Sequence, residues 1–231
     1  MITLALDAST YVGTVAVFGD GRLLAEGETA MRGRDVERLM PAVSRALDEA
    51  GVAVRDVRRV VCGDGPGSFT SLRIAASIAK GIAMGCRAEL LRVSSLALIP
   101  AGAPDLAVGS YLGALDALRG EAYFQRFRRE PSGTVVPESR FYLGPLEAVT
   151  KAAADLPARI AAPEDLLALL ASVGEVAHGA LVALAPHARG VARLEGALEP
   201  ADLATWEPRY GRLAEAQVKW EAHHGRSLPA S

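Results

Sequence analysis

The sequence predicts a duplicated α/β protein built from two related units. Three observations predict this class. The chain opens with three strand-like runs followed by a helical pattern, the same order restarts in the second half, and a stretch containing Pro and Gly at residues 101–104 separates the two halves. We therefore expect an N-terminal unit over residues 1–104 and a C-terminal unit over residues 105–231.

The first unit is predicted to begin with a three-stranded antiparallel meander. The strand-like runs are ITLALDA at 2–8, GTVAVFG at 13–19 and RLLAEGET at 22–29. Asp20-Gly21 between the second and third runs is a hairpin signal, because both residues tolerate positive φ.

Two helices and two further strands should complete the first unit. Apolar residues recur at helical spacing over 35–50, and Gly51 should close this helix. A buried-type strand, Val57–Gly63, leads through a glycine-rich loop into a helix over 69–85, and a short strand over 89–94 follows.

The second unit is predicted to repeat this order. Its strand-like runs lie at 106–117, 121–130 and 134–144. A turn at 131–133 separates the last two, and a helix should begin near Pro145. The chain should end with a helix starting at 211–213 that packs back on the N-terminal unit, with a frayed tail beyond Gly225.

Composition predicts an ordinary globular protein. The 231 residues are 50% hydrophobic and 23% charged, with a net charge of −2, so the chain is not expected to bind nucleic acid by phosphate neutralisation alone. The start resembles no signal peptide and no apolar run could cross a bilayer, so we expect a cytoplasmic protein without membrane contact. Cys62 and Cys86 lack metal or disulfide spacing and should be reduced core residues.

The loop GDGPGSFT at 63–70 resembles a phosphate-binding loop but lacks the features that define one. It contains no lysine for a Walker A motif, and the G-x-G-x-x-G pattern matches only at Gly65 and Gly67, with Thr70 in the third glycine position. Two interpretations remain: the backbone N–H groups at the helix start bind an anion, or the hydroxyl of Ser68 or Thr70 caps them.

The segment LDAST at 6–10 is a second candidate for the same site. Asp7 at a strand end either holds a hydrated metal ion beside a phosphate or organises its own turn. The two segments together define a predicted nucleotide-proximal loop, which consists of Asp7, Ser9, Thr10, Gly65, Pro66, Gly67, Ser68 and Thr70.

The sequence contains no recognisable metal or nucleophile motif. Its four histidines have no HxxxH or HExxH spacing, and no G-x-S-x-G elbow occurs. We therefore predict no catalytic residue and no metal ligand, and expect the histidines to be exposed or capping residues. Asp116 and Glu121, which flank Arg119 on a predicted turn, either shape a hairpin or take part in binding.

Small residues line the helix predicted at 69–85. Ala75, Ala79 and Ala83 recur every four residues, and Gly81 and Gly85 lie beside them. Small side chains allow close approach of another element, so this pattern favours tight packing against either the core of the protein or a partner subunit.

Four segments of the chain resemble the TsaB (YeaZ) family in the same order and at similar spacing. They are LDAST at 6–10, GPGSFTSLRIA at 65–75, LDALRGEAY at 115–123 and EPRYGRLAEA at 207–216. The resemblance spans nearly the whole chain, and GPGSFT with Leu72 and Arg73 is its most specific part. It implies a two-lobed actin-like ATPase fold, the class of Hsp70, sugar kinases and actin, with each lobe built around a mixed β-sheet.

The resemblance also implies a function. In this family the chain is the non-catalytic partner of TsaD, which binds a metal and transfers a threonylcarbamoyl group to the adenosine beside the anticodon of tRNAs that read codons starting with A. TsaE, an ATPase, joins the pair. The resemblance implies no tightly bound cofactor, ATP or ADP at the partner interface, tRNA contact through the complex, and a homodimer when the chain is isolated.

The resemblance places the partner-binding surface on the first two helices. The implied contact residues are Val36, Leu39, Met40, Val43, Phe69, Arg73, Ile74, Ser77, Ile78, Ala79 and Ile82. The chain departs from the family pattern at Arg34, Ser71, Ala75, Leu118 and Gly211. Ser71 and Ala75 stand where the family has glycine, which bears on how closely a partner could approach.

Two other functional classes need motifs that the sequence lacks. A catalytic kinase or ATPase of the actin-like fold needs a second phosphate loop with an acidic residue and a Gly-Gly adenosine segment, and neither follows Gly144. A peptidase-like protein needs a zinc motif or an activated nucleophile, which the sequence also lacks.

Overall fold

The computed structural model describes residues 1–31, 37–155, 158–174 and 180–211. The elements of the first half are β1 Ile2–Asp7, β2 Val12–Gly19, β3 Arg22–Ala30, α1 Leu39–Glu49, β4 Val57–Gly63, α2 Phe69–Cys86, β5 Glu89–Val93 and α3 Leu98–Ala101. Those of the second half are β6 Gly109–Asp116, β7 Glu121–Arg129, β8 Val135–Pro137, β9 Tyr142–Pro145, α4 Leu146–Asp155, β10 Arg159–Ala162, α5 Glu164–Val173, β11 Leu181–Ala183 and β12 Glu199–Pro200.

The predicted duplicated α/β architecture is confirmed. In the first sheet β3, β2 and β1 form an antiparallel meander, and β4 and β5 continue it in parallel with β1. In the second sheet β8, β7 and β6 form the meander, and β10 and β11 continue it in parallel with β6. This shared strand order is that of the two-lobed actin-like ATPase fold.

The run at 134–144 forms two strands where the sequence pattern predicts one. β8 ends at Pro137, which has no N–H to donate to a sheet ladder, and β9 begins five residues later. Both strands pair with β7, and Ser139 between them accepts an N–H bond from Arg126 of β7 at its hydroxyl oxygen, at 3.1 Å.

The turn between β2 and β3 is the predicted hairpin turn. Asp20 has φ +49° and Gly21 has φ +78°, so both central residues adopt the left-handed conformation that a tight two-residue hairpin requires. Leu4 and Leu6 of β1 and Val17 of β2 are buried in the core of this half.

Helix α1 begins later than predicted and ends as predicted. Its first residue is Leu39, and the carboxylate of Glu37 accepts the N–H groups of Leu39 and Met40. Residues 35 and 36 of the predicted helix lie outside the described residues. At the other end Gly51 has φ +66°, and its N–H donates to the carbonyl of Asp48 in a Schellman arrangement.

Helix α2 packs its alanines inward. Ala75, Ala79 and Ala83 have no exposed surface and lie in the core between α1, α2 and the first sheet. The small-residue pattern therefore serves close packing of α2 on its own sheet. Gly81 and Gly85 behave differently, because a Cβ added to either would meet no atom within 4 Å.

The end of the described chain returns to the first sheet. β12 pairs antiparallel with β5, and Trp206 is buried in the core beneath α2. The predicted C-terminal helix lies outside the described residues, and the unit boundary at residue 104 stays a prediction. Among the helices that are described, none has the length and hydropathy needed to span a membrane.

The glycines between the end of β4 and the start of α2 have no room for a side chain. A Cβ on Gly63 would lie 1.9 Å from Oδ1 of Asp7. A Cβ on Gly65 would lie 2.5 Å from the carbonyl oxygen of Arg209, and one on Gly67 would lie 2.1 Å from the carbonyl oxygen of Ser9. The glycines are therefore required by the approach of the protein's own chain.

Gly67→Ala is expected to destabilise the protein by about 2–4 kcal/mol, because the backbone of Ser9 must move to admit the methyl group. Gly81→Ala is the matched control and should stabilise it by about 0.5–1 kcal/mol, since Gly81 is an exposed helical residue with open space around it. Urea unfolding of both variants measures the difference. Equal effects at the two positions would contradict the packing described for the loop.

Candidate functional site

The first three segments that resemble the TsaB family meet in space with residues 207–211, the described part of the fourth. Ser68 donates its backbone N–H to the carbonyl of Ser9 at 2.8 Å, which joins the first segment to the second. The hydroxyl of Tyr123 donates to the carbonyl of Tyr210 at 3.2 Å, which joins the third to the fourth. The backbone N–H of Arg209 donates to the carbonyl of Asp64 at 2.7 Å, which brings the fourth beside the second.

Asp7 organises the start of this arrangement. Its side chain is fully buried and accepts bonds from the Ser95 hydroxyl at 2.5 Å, the Ser9 hydroxyl at 2.7 Å and the Ser9 N–H at 3.0 Å. Burial raises the pKa of Asp7, and the hydrogen bonds from the two serines oppose that rise. The turn-organising interpretation of Asp7 thus accounts for its contacts.

The hydroxyl of Ser68 does not cap the start of α2. Ser68 occupies the N-cap position, but its hydroxyl makes no bond to a backbone N–H of the helix, so the predicted hydroxyl cap is wrong at this residue. That hydroxyl lies 3.0 Å from the hydroxyl of Ser71 instead. Ser71 and Ala75 are both buried, so these two departures from the family pattern lie away from the outer face of α2.

Asp64 is a buried charge that the sequence analysis missed. Its Oδ2 lies 2.7 Å from Nε of Arg209 and 3.2 Å from Nη1 of Arg92, and its Oδ1 accepts the indole N–H of Trp206 at 3.1 Å. Burial raises the pKa of Asp64, and the arginines and the indole act against that rise. Glu199 lies 2.6 Å from Arg92 and completes the cluster. Asp64 stands between two glycines after an apolar strand, which is the one local signal of its burial.

The loop is surrounded by acceptor groups of the protein's own chain. The carboxylate of Asp7 and the carbonyl oxygens of Ser9 and Arg209 lie where a Cβ on its glycines would be. The structure brings most of the predicted nucleotide-proximal residues together but leaves Thr70 exposed, while Thr10 bonds to Val12 in its own turn. Their proposed contact with a nucleotide stays a prediction.

The turn at Asp116 is a structural hairpin. Asp116 accepts the N–H of Leu118 at 2.7 Å, and Leu118, Arg119 and Gly120 all have positive φ. Hairpin shaping is therefore the interpretation of Asp116 that its contacts support. Leu118, another departure from the family pattern, is exposed at the tip of this turn.

His187 is a capping histidine, and capping is one of the two roles expected for the histidines. His187 is buried, and its Nδ1 accepts the N–H of Arg189 at 3.1 Å, so it caps the short helical turn Ala188–Arg193. His178, His223 and His224 lie outside the described residues. Within the described ranges no group of three or more His, Cys, Asp or Glu side chains is placed to hold a metal ion.

A shallow groove runs along the outer side of α2. It has a volume of about 460 Å³ and is lined by Glu37, Phe69, Thr70, Arg73, Ile74, Ser77 and Ile78. Apolar side chains extend the same side of the molecule, since Met40 is 41% exposed and Met84 is 66% exposed. We call Met40, Phe69, Arg73, Ile74, Ser77 and Ile78 the outer face.

All six residues of the outer face belong to the predicted partner-contact set. Of the other five residues in that set, four are buried and one lies outside the described residues. Leu39, Val43 and Ala79 have no exposed surface and Ile82 is 8% exposed, because they pack in the core against the first sheet. Their side chains support the surface from within and cannot contact a partner while the chain is folded as described. Val36 lies outside the described residues.

Replacing Asp7 with Asn tests the raised pKa. A raised pKa means that the folded protein binds the proton more tightly than the unfolded chain, so this group's contribution to stability falls as pH rises from about 4 through the folded-state value. Asn carries no charge, so the free energy of unfolding of Asp7→Asn relative to wild type should increase between pH 4 and pH 8. Urea unfolding at both pH values measures it, and an unchanged difference would contradict the assignment.

The chain is similar in sequence to one protein family and to several named proteins. Residues 31–136 match the family described as "TsaD: tRNA N6-adenosine threonylcarbamoyltransferase". The tRNA threonylcarbamoyladenosine biosynthesis protein TsaB of Escherichia coli is 34% identical over 134 residues, which cover 58% of this chain and 58% of that protein. The protein of the same name from Bacillus subtilis is 29% identical over 95% of this chain and 98% of its own length.

Solved structures agree with the sequence relatives. YeaZ from Pseudomonas aeruginosa is 30% identical and superposes with a TM-score of 0.71 over 84% of this chain and 90% of its own. A further structure, titled as an uncharacterized protein with similarity to peptidase YEAZ from the same organism, gives a TM-score of 0.77 at 28% identity over 91% and 99% of the two chains. The chain therefore belongs to the TsaB (YeaZ) family.

Proposed function

We propose that this chain is a non-catalytic subunit that binds a TsaD-like subunit through the outer face and thereby supports formation of threonylcarbamoyladenosine in tRNA. Family membership supports the role in threonylcarbamoyladenosine formation. The observation that carries the binding role is the exposed apolar side of α2, where half-buried Ile74 and Ile78 lie beside exposed Met84 and the open space at Gly81.

The shape of this side of α2 suits a helix of another chain. Gly81 and Gly85 have no side chain that projects from the helix, so a second helix could approach its backbone closely. The outer face also has little charge, with Arg73 as its only charged member, which favours burial in an interface.

A TsaD-like occupant is favoured by homology. The match to the TsaD family covers residues 31–136, which include α1 and α2, so a TsaD-like chain carries a related helix pair. Two homologous chains can place equivalent surfaces together about a pseudo-twofold axis. A second copy of this chain would present the same surface, and the homodimer is the competing occupant when no partner is present.

In this proposal the transfer chemistry belongs to the partner. The loop that resembles a phosphate site is filled by the chain's own carboxylates and carbonyl oxygens, which disfavours a kinase or ATPase reaction at that loop. We propose that ATP or ADP binds at the junction with the partner and that a TsaE-like ATPase joins the pair there. This chain would contact tRNA only through the complex, in the cytoplasm.

Ile78→Asp is expected to weaken binding to a TsaD-like protein at least about tenfold, because a carboxylate would lose its water at the centre of the contact. Titration calorimetry measures the dissociation constant, and size-exclusion chromatography with light scattering shows whether heterodimer or homodimer forms. Ser77→Arg is a second variant of the exposed side. Ala79→Arg is unsuitable for this purpose, because Ala79 is fully buried and the change would disturb folding.

Leu169→Asp is the matched control. Leu169 is 45% exposed on α5 of the second half, so the same kind of change there should leave the dissociation constant as in wild type. Wild-type affinity in both Ile78→Asp and Ser77→Arg would overturn the assignment of the outer face.

A further inference from the structure

We propose that Tyr210 positions the outer face: it holds Arg73 and Phe69 in the arrangement that the partner meets. This inference rests on the proposed function, because it names a further residue that acts in the same contact. Tyr210 lies 137 residues from Arg73 in sequence and belongs to the segment 206–211 that returns to the first half of the molecule.

Tyr210, Phe69 and Arg73 form one compact group. The rings of Phe69 and Tyr210 have centroids 4.4 Å apart and planes inclined by 47°. Nε of Arg73 donates to the hydroxyl oxygen of Tyr210 at 3.2 Å. The guanidinium carbon of Arg73 lies 4.3 Å from the centroid of Phe69 and 5.6 Å from that of Tyr210, so the cation covers both rings.

The backbone on both sides of Tyr210 is anchored independently of Arg73. Before it, Arg209 bonds to Asp64 through its backbone N–H and through its guanidinium, both at 2.7 Å. At Tyr210 itself, the carbonyl oxygen accepts the hydroxyl of Tyr123 on β7 at 3.2 Å. Tyr210 is therefore held by both sheets, and its side chain provides a fixed support for residues of α2.

Fixing an exposed arginine has a consequence for affinity. A free arginine side chain has large rotamer entropy, part of which is lost when it is immobilised in an interface. Because Tyr210 already restricts Arg73, less of that entropy is lost on binding. Phe69 is restrained in the same way by its ring contact, so the free protein presents a surface that is already ordered.

A double-mutant cycle tests this inference. Tyr210→Phe keeps the ring and removes the hydroxyl that Arg73 contacts, whereas Arg73→Met removes the guanidinium and keeps an apolar side chain. We expect Tyr210→Phe to raise the dissociation constant for a TsaD-like protein by about three- to tenfold, with a thermal midpoint close to that of wild type. In the Arg73→Met background the same change should alter the constant less than about twofold, because its effect acts through Arg73.

Tyr111→Phe is the matched control for loss of a tyrosine hydroxyl bond. The Tyr111 hydroxyl donates to the carbonyl of Ala107 at 2.7 Å in the second half, so its removal should leave the dissociation constant unchanged. Wild-type affinity in Tyr210→Phe, or an equal effect of that change with and without Arg73, would overturn the positioning role and leave the proposed function standing. Failure of the wild-type chain to bind would overturn the proposed function and this inference together.

Discussion

The site depends on one constraint: the glycines between β4 and α2 have no room for a side chain. The carbonyls of Ser9 and Arg209 and the carboxylate of Asp7 occupy the space beside its glycines. This packing fixes the start of α2 against the turn that follows β1 and against the segment at Arg209.

The two sides of α2 have separate tasks. The alanines on the inner side allow the helix to lie close to the first sheet, and the outer side presents a low apolar surface. The segment 206–211 couples these tasks, because Trp206 packs beneath the helix while Tyr210 contacts residues on its outer side. In the proposed function, stability of the first half and readiness to bind a partner therefore depend on the same segment, 206–211.

Sequence periodicity predicted most elements, because hydrophobic spacing and turn residues act locally. The strand Val57–Gly63 and the Gly51 helix end were both predicted from such patterns. Periodicity could not decide whether the alanines of α2 face the core or a partner, since both need small side chains. Asp64 and Arg209 are far apart in sequence, so local spacing could not predict their contact. The family resemblance identified the four segments as separate motifs. The structure shows the contacts between them.

Hydrogen–deuterium exchange on the chain, free and bound to a TsaD-like subunit, tests the central claim most directly. The claim is that the outer side of α2, supported by the segment 206–211, is the surface that the partner covers. The account predicts slower exchange in Phe69–Cys86 and at 206–211 on binding, with α5 Glu164–Val173 unchanged. Protection confined to the second sheet and α5, with α2 exchanging as in the free chain, would contradict it.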